Sequence, residues 1–393
     1  MPDGDGAINR VAFTSILAAA MAIATFAGPA FAVLASFIID ELGLTRAELG
    51  WAVGAFAVTG ALASPLVGRL TDVIGGRKAA TAIFGISGLG LLAISAAPTY
   101  TWLIAGAMLA GVGQAAGNPG TNKLISVHIP EGRRGAVTGL KQSGVQMSVF
   151  LAGILLPTGA LAWGWRPTVA LAGALALLFV AAVFLIVPHD PPSVAADGTE
   201  RGVVWSSPVI WLMVYGLLMG LGGAIYTYLP LYGEEELGLS VAVAGSIAGF
   251  SGLVAVFSRI LWARHAEKDA TYIRSLTQIA ILSVFFAGTL LLAPQAGSWL
   301  LWVGALGIGA SATAWNSVGM LAVMAYAGQT RAGGASGVVL LGFLAGYGLG
   351  PPAFGWSVDL TDSYAPGLWG VLGVFLIAAL LAFTWNRTTR RAR

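Results

Sequence analysis

Cysteine is absent from the 393 residues, and Asp, Glu, Lys and Arg together make up only 9%. Without cysteine there is no disulfide framework, no thiol redox chemistry and no cysteine metal site. Soluble domains carry about 25% charged residues, so these side chains cannot solvate one or two water-facing domains. The 20 basic and 17 acidic residues are thinly spread, which excludes the dense basic face that binds nucleic acid. What is plentiful is apolar. Hydrophobic residues reach 57% and the mean hydropathy is +0.83, which excludes disorder. This is the composition of a protein dissolved in a lipid bilayer.

A helix that crosses a bilayer needs about 20 mostly apolar residues at about 1.5 Å per residue. Cutting the chain at its charges, prolines and polar clusters leaves twelve such runs. They are 11–39, 49–68, 79–97, 101–127, 135–159, 167–188, 205–231, 241–263, 271–293, 298–325, 333–356 and 364–385. The first is too long for the apolar core of a signal peptide and reads as a retained helix. The expected fold is an all-α membrane protein of twelve transmembrane helices.

Lys and Arg set the orientation. With the N-terminus inside, the inner segments hold Arg10, Arg69, Arg77, Lys78, Arg133, Arg134, Arg201, Arg264, Lys268, Arg331 and the basic tail from Arg387 to Arg393. The outer segments hold only Arg46 and Arg166 among acidic residues such as Asp40, Glu41, Glu48, Glu234, Glu235, Glu236, Asp359 and Asp362. Both termini are therefore expected in the cytoplasm, with the protein in the cell membrane (the inner membrane, if the source is a Gram-negative bacterium). The polar stretch 189–204 reads as a cytoplasmic linker, dividing the chain into six-helix bundles at 1–188 and 205–393.

The halves echo each other at roughly 195–198 residues. Gly111-Val112-Gly113 matches Gly307-Ile308-Gly309, Arg133 and Gly139 match Arg331 and Gly337, and Pro157 has its counterpart at Pro351. The loop Gly68-Arg69-Leu70-Thr71-Asp72 corresponds to Ala263-Arg264-His265-Ala266-Glu267. The common offset implies two pseudo-symmetric bundles.

Between the second and third spans the chain reads Gly68-Arg69-Leu70-Thr71-Asp72-Val73-Ile74-Gly75-Gly76-Arg77-Lys78. With the twelve spans and the central linker, this loop resembles that of the major facilitator superfamily of secondary transporters. Gly68, Asp72, Gly75, Arg77 and Lys78 fit the family's loop, while Val73 stands where a basic residue is usual. Physically, Gly68 would let two helix ends approach closely and Gly75 would permit a turn with positive φ. Asp72 would accept bonds from a helix N-terminus or from arginines when the inner ends close. The loop thus reads as a conformational latch, with Arg264 and Glu267 as a weaker second one. Topology alone, basic residues holding the loop in the cytoplasm, is the simpler alternative.

The family's drug–proton exchangers commonly carry an arginine where this chain has Ala107, and a Gly-Pro-x-x-Gly-Gly motif that Gly153, Pro157 and Gly159 only partly copy. Both departures weaken a reading as a proton-coupled efflux pump for drugs or hydrophobic compounds, which stays as the alternative. None of the 17 carboxylates falls at the middle of a span, and His128, His189 and His265 lie at the cytoplasmic side. Coupling through a central carboxylate is therefore not expected.

The charges inside spans are positive: Lys123, Lys141 and Arg259. Each is a functional hypothesis by default, set against snorkelling of a long stem to the interface. Snorkelling is preferred for Arg259, as part of a gate-side cluster with Arg264; both readings stay open for the lysines. Gln114, Asn118, Asn122 and Ser126 make a polar stripe at four-residue spacing, and Thr138, Gln142 and Gln146 make another. Such stripes face a helix or a watery cavity rather than lipid. Spans one, four, seven and ten line the central path in the resembling family. That places Gln114, Asn118, Asn122, Lys123, Lys141, Gln142, Gln146, Tyr226, Tyr228 and Asn316 around a substrate, with Gly68, Asp72, Gly75, Arg77, Arg259, Arg264 and Glu267 as gating residues. Amides, lysines and aromatics together suit a small anionic or zwitterionic organic solute. Gly113, Gly117 and Gly120 with Pro119 would bend span four. The expected protein is a monomeric carrier without catalytic residues, metal or cofactor, its partners the bilayer, the solute and, left open, a coupling ion.

Overall fold

The computed structural model describes residues 9–188, 190, 206–268, 272–327 and 332–391, and every regular element among them is helical. The expected linker, 189–204, lies outside the described residues except for Asp190. Helices α1 (Arg10–Thr25), α2 (Ala27–Val33) and α3 (Ala35–Leu42) follow the first expected span. Spans two to six are α4 (Arg46–Ile74), α5 (Gly76–Ser95), α6 (Tyr100–His128), α7 (Glu131–Trp163) and α8 (Trp165–Ile186). Span seven is divided into α9 (Ser207–Gly222) and α10 (Ala224–Glu235); α11 (Val241–Lys268) and α12 (Tyr272–Ala296) follow. Span ten is α13 (Trp299–Ala310), a 3-10 turn at Ala312–Ala314 and α14 (Trp315–Ala327), before α15 (Ala332–Thr361) and α16 (Ala365–Arg391).

Among the described residues ten stretches are long and apolar enough to cross a membrane, and α1 with α2, bent by 53°, makes an eleventh. The one expected span left over, span four (α6), has the length, 29 residues. Its Gln, Asn and Lys residues keep it from being as apolar as the others. It tolerates them because α4 and α5 cover it closely, burying Leu103, Ala107, Ala110 and Leu124. Polar groups on a span are stable where protein or water replaces lipid as the neighbour.

Spans one, seven and ten are broken, at Phe26 and Leu34, at Gly223 and at Ser311. Span four is not: α6 runs unbroken through Pro119, so the expected bend there does not interrupt the helix. The carbonyls around the break in span ten are bonded by neighbours. Ser251 Oγ donates to Ala305 O at 2.8 Å, Ser258 Oγ to Gly309 O at 3.1 Å and Trp262 Nε1 to Ala310 O at 2.9 Å. An irregular stretch at membrane depth persists only with such partners.

The two halves meet most extensively along two seams, α4 against α15 and α7 against α11, with α2 against α10 a smaller third contact. These are spans two with eleven and five with eight, the pairs that an internal repeat of six spans exchanges. Both seams are built on glycine. A Cβ at Gly54 would run into the Gly348 carbonyl, and one at Gly153 would lie 2.6 Å from the Gly249 backbone. Small residues let helices touch backbone to backbone.

Both seams lie toward the face where α4 starts and α15 ends. Toward the opposite face, where α1 begins and α16 ends, α4 exposes Leu62, Leu66, Leu70 and Val73, and α11 exposes Phe257, Ile260 and Leu261. The halves are thus closed at one face and part toward the face of the termini.

Candidate substrate site and gates

Lys141 is the one charged side chain buried among the described residues, with no exposed surface. Its Nζ donates to Asn122 Oδ1 at 2.7 Å, Thr121 Oγ1 at 2.9 Å and Asn118 Oδ1 at 3.2 Å. Gln142 Nε2 also donates to Asn118 Oδ1, at 3.1 Å. The two polar stripes of α6 and α7 therefore face each other, and α6 supplies all three acceptors. Among the described residues no carboxylate pairs with Lys141. The helices packed on α7, namely α1, α2, α6, α8 and α11, carry one acidic residue between them, the exposed Glu267. Neutral oxygens satisfy the N–H groups of an ammonium but leave its charge uncompensated.

Beside this cluster lies a cleft of about 600 Å³, lined by Ser64, Pro65, Gly68, Arg69, Thr71, Pro119, Asn122, Lys123 and Ser126. Asn122 belongs to both places, binding Lys141 while lining the cleft. The two lysines, indistinguishable in sequence, are separated by the fold: Lys141 is enclosed and Lys123 lies in the open cleft.

The remaining expected site residues are spread more widely. Gln114 lies against Gly60, its Oε1 buried without a donor. Gln146 is buried where α7 meets Gly252 of α11. Tyr226 donates its hydroxyl to Ile308 O at 3.0 Å, above the break in span ten, and Asn316 is half-buried in the first turn of α14. Tyr228 is fully buried at the closed face, donating to Arg46 O at 2.6 Å and close to Pro351 O at 3.0 Å, with its ring stacked on Phe354. It belongs to the closure between halves rather than to the Lys141 cluster.

The expected gating residues divide likewise. Gly75 has φ +88°, as its turn requires, and Arg77 N–H donates to Asp190 Oδ2 at 2.9 Å. Arg77 also donates to Phe184 O at 2.6 Å, tying the start of α5 to the end of α8. A Cβ on Gly68 would meet nothing within 4 Å, so the helix approach expected there is absent while this face is open. The Asp72 side chain lies outside what is described. Arg259 is not turned toward Arg264 and the interface: its Nε donates to Thr313 O at 3.2 Å, since the break in span ten leaves that carbonyl in need of a donor. Arg264 and Glu267 are exposed without a hydrogen-bond or ion-pair partner among the described residues.

At the opposite face a closure forms from residues that carry no expected role. Arg46 donates through Nε at 2.9 Å and NH2 at 2.7 Å to Glu235 Oε2, which also accepts from Tyr364 OH at 2.6 Å. Asp359 accepts from the backbone N–H of Arg46 and of Ala47. One signal was present: Thr45-Arg46-Ala47-Glu48 is a capping box, with Thr45 Oγ1 accepting from Glu48 N–H and Glu48 accepting from Thr45 N–H. It marks where α4 begins, and hence where two N–H groups still need acceptors.

Twelve spans, two glycine seams exchanged by an internal repeat and a polar cluster opening to one face define a multi-pass membrane carrier built from two helical bundles. The family model described as Major Facilitator Superfamily matches residues 13–323, and the chain belongs to that superfamily of transporters. It is 26% identical over 394 residues to a putative tartrate transporter of Agrobacterium vitis, covering 90% of this chain and 85% of that protein. It is 29% identical over 360 residues to a probable nitrate/nitrite transporter of Mycobacterium tuberculosis, covering 86% and 87%. The fold is similar to the crystal structure of a bacterial homolog of the human lysosomal transporter Spinster in an inward-facing and unoccupied conformation. The TM-score is 0.81 at 18% identity, over 99% of each chain.

Proposed function

We propose that this protein is a secondary transporter of a small organic anion, moved by alternating access between bundles 1–188 and 205–393. The observation that carries the reading is Lys141, a fully buried cation among neutral oxygens, linked through Asn122 to an open cleft. An anion arriving at Asn118 and Asn122, beside Lys141, supplies the charge that the protein withholds. Relatives named for tartrate and for nitrate or nitrite support an anion over the hydrophobic cations of a drug pump.

The excess of Lys and Arg at the face of the termini supports a cytoplasmic location for it, so the conformation described is open to the cytoplasm. On this reading Arg46, Glu235, Asp359, Tyr228 and Tyr364 hold the outer gate shut. The loop Gly68–Lys78 with Asp72 closes the inner one in the alternate state, when Gly68 allows α4 its close approach. Arg264 and Glu267 would add a second contact there.

Purified protein in liposomes tests the reading. It should take up labelled tartrate or a similar organic acid and leave a cationic dye such as ethidium untransported, with and without a pH gradient. Transport of the dye, with no uptake of any anion offered, would replace this reading by efflux.

A further inference from the structure

The cleft beside Lys141 carries two more cations that the reading above does not use together. Arg69, on α4, and Lys123, on α6, line the same cavity from facing helices, and neither has an ion-pair partner among the described residues. The other described lining groups are hydroxyls (Ser64, Thr71, Ser126), the Asn122 amide, Pro65, Pro119 and Gly68. Among the described residues no acidic one lines the cleft, and α6 contains none along its length. Asn122 stands between the two cationic places, bonded to Lys141 on one side and open to the cleft on the other.

A single negative group at Asn122 would compensate the buried ammonium and leave Arg69 and Lys123 in the same cavity without a counter-charge among the described residues. A molecule with two anionic ends would meet both. The guanidinium offers a planar pair of donors that fits a carboxylate, and a neighbouring ammonium adds point charge. The volume of about 600 Å³ lies within the range of cavities that hold small organic ligands.

We propose that Arg69 and Lys123 form a second anion-binding pole, so that the transported solute is a dianion, a short hydroxy-dicarboxylate in class. Its inner carboxylate lies toward Asn118, Asn122 and Lys141, and its outer one between Arg69 and Lys123. This inference rests on the anion reading and adds the second charge to it.

Calorimetric binding to the purified full chain tests it, with tartrate as the dicarboxylate and glycerate as its monocarboxylate counterpart. Wild type should bind tartrate at least tenfold more tightly than glycerate. Arg69→Gln with Lys123→Gln should cost tartrate tenfold or more, about 1.4 kcal/mol, and glycerate less than about twofold. Arg69→Lys should restore part of the tartrate affinity, because it keeps the charge and loses the fork. Equal affinity of wild type for the two acids, or equal losses for both in the double variant, would overturn the second pole. Lys141→Gln separates the two claims, since it should weaken both acids. If it weakens neither while the double variant still discriminates, the inner pole fails and the outer one stands.

Discussion

Asp359, near the end of α15, caps the helix that begins at Arg46 in the other half of the molecule, accepting from Arg46 N–H at 3.0 Å and Ala47 N–H at 2.8 Å. A carboxylate at a helix N-terminus satisfies orphan donors and meets the positive end of the dipole. The bond exists only while this face is closed. Asp359→Asn should therefore favour the state open at this face. The side chain is partly exposed, so the loss should be about 1–2 kcal/mol, a shift of roughly five- to thirtyfold in population. Cysteine labelling from each side of the membrane checks it: residues in the Tyr228 seam should react faster from the outside.

Asp72→Asn should act with the opposite sign. If the loop Gly68–Lys78 latches the inner face in the alternate state, neutralising Asp72 removes charge-assisted bonds from that state alone. The conformation open at the cleft should gain population, seen as faster labelling at Ser64 and Ser126 replaced by cysteine. Unchanged labelling at both mouths would remove the latch from Asp72.

Arg259→Leu should reduce stability without changing which solute binds. It strips a donor from Thr313 O at the break in span ten, and an unpaired buried carbonyl costs about 1–3 kcal/mol. Melting in detergent should fall by several degrees while the affinity of any transported anion stays within about twofold. A large affinity loss with normal melting would make Arg259 part of the site.

Much of the fold is legible in the sequence because a bilayer imposes one length on every span. The polar stripe at Gln114, Asn118 and Asn122 is legible as well, since four-residue spacing fixes a helix face whatever packs on it. The depths of Lys123 and Lys141 are not, because each depends on which helix lies opposite. The breaks in spans one, seven and ten escape for a related reason. Gly309 stands two residues before Ser311, but glycines also run through unbroken spans, and this break is stabilised by Ser258, Arg259 and Trp262 from α11. Asp359 is visible only as an acidic residue between two expected spans, since its partner lies at the far end of the chain.

The central claim is that Lys141 compensates the charge of a transported anion. The most direct measurement is the affinity of the purified protein for tartrate, compared among wild type, Lys141→Gln and Lys268→Gln, the last exposed at the end of α11. Removing one partner of a desolvated charge pair costs about 2–5 kcal/mol, whereas an exposed lysine contributes under about 1 kcal/mol. Lys141→Gln should therefore weaken binding tenfold or more, with Lys268→Gln close to wild type. Wild-type affinity in Lys141→Gln would contradict the account.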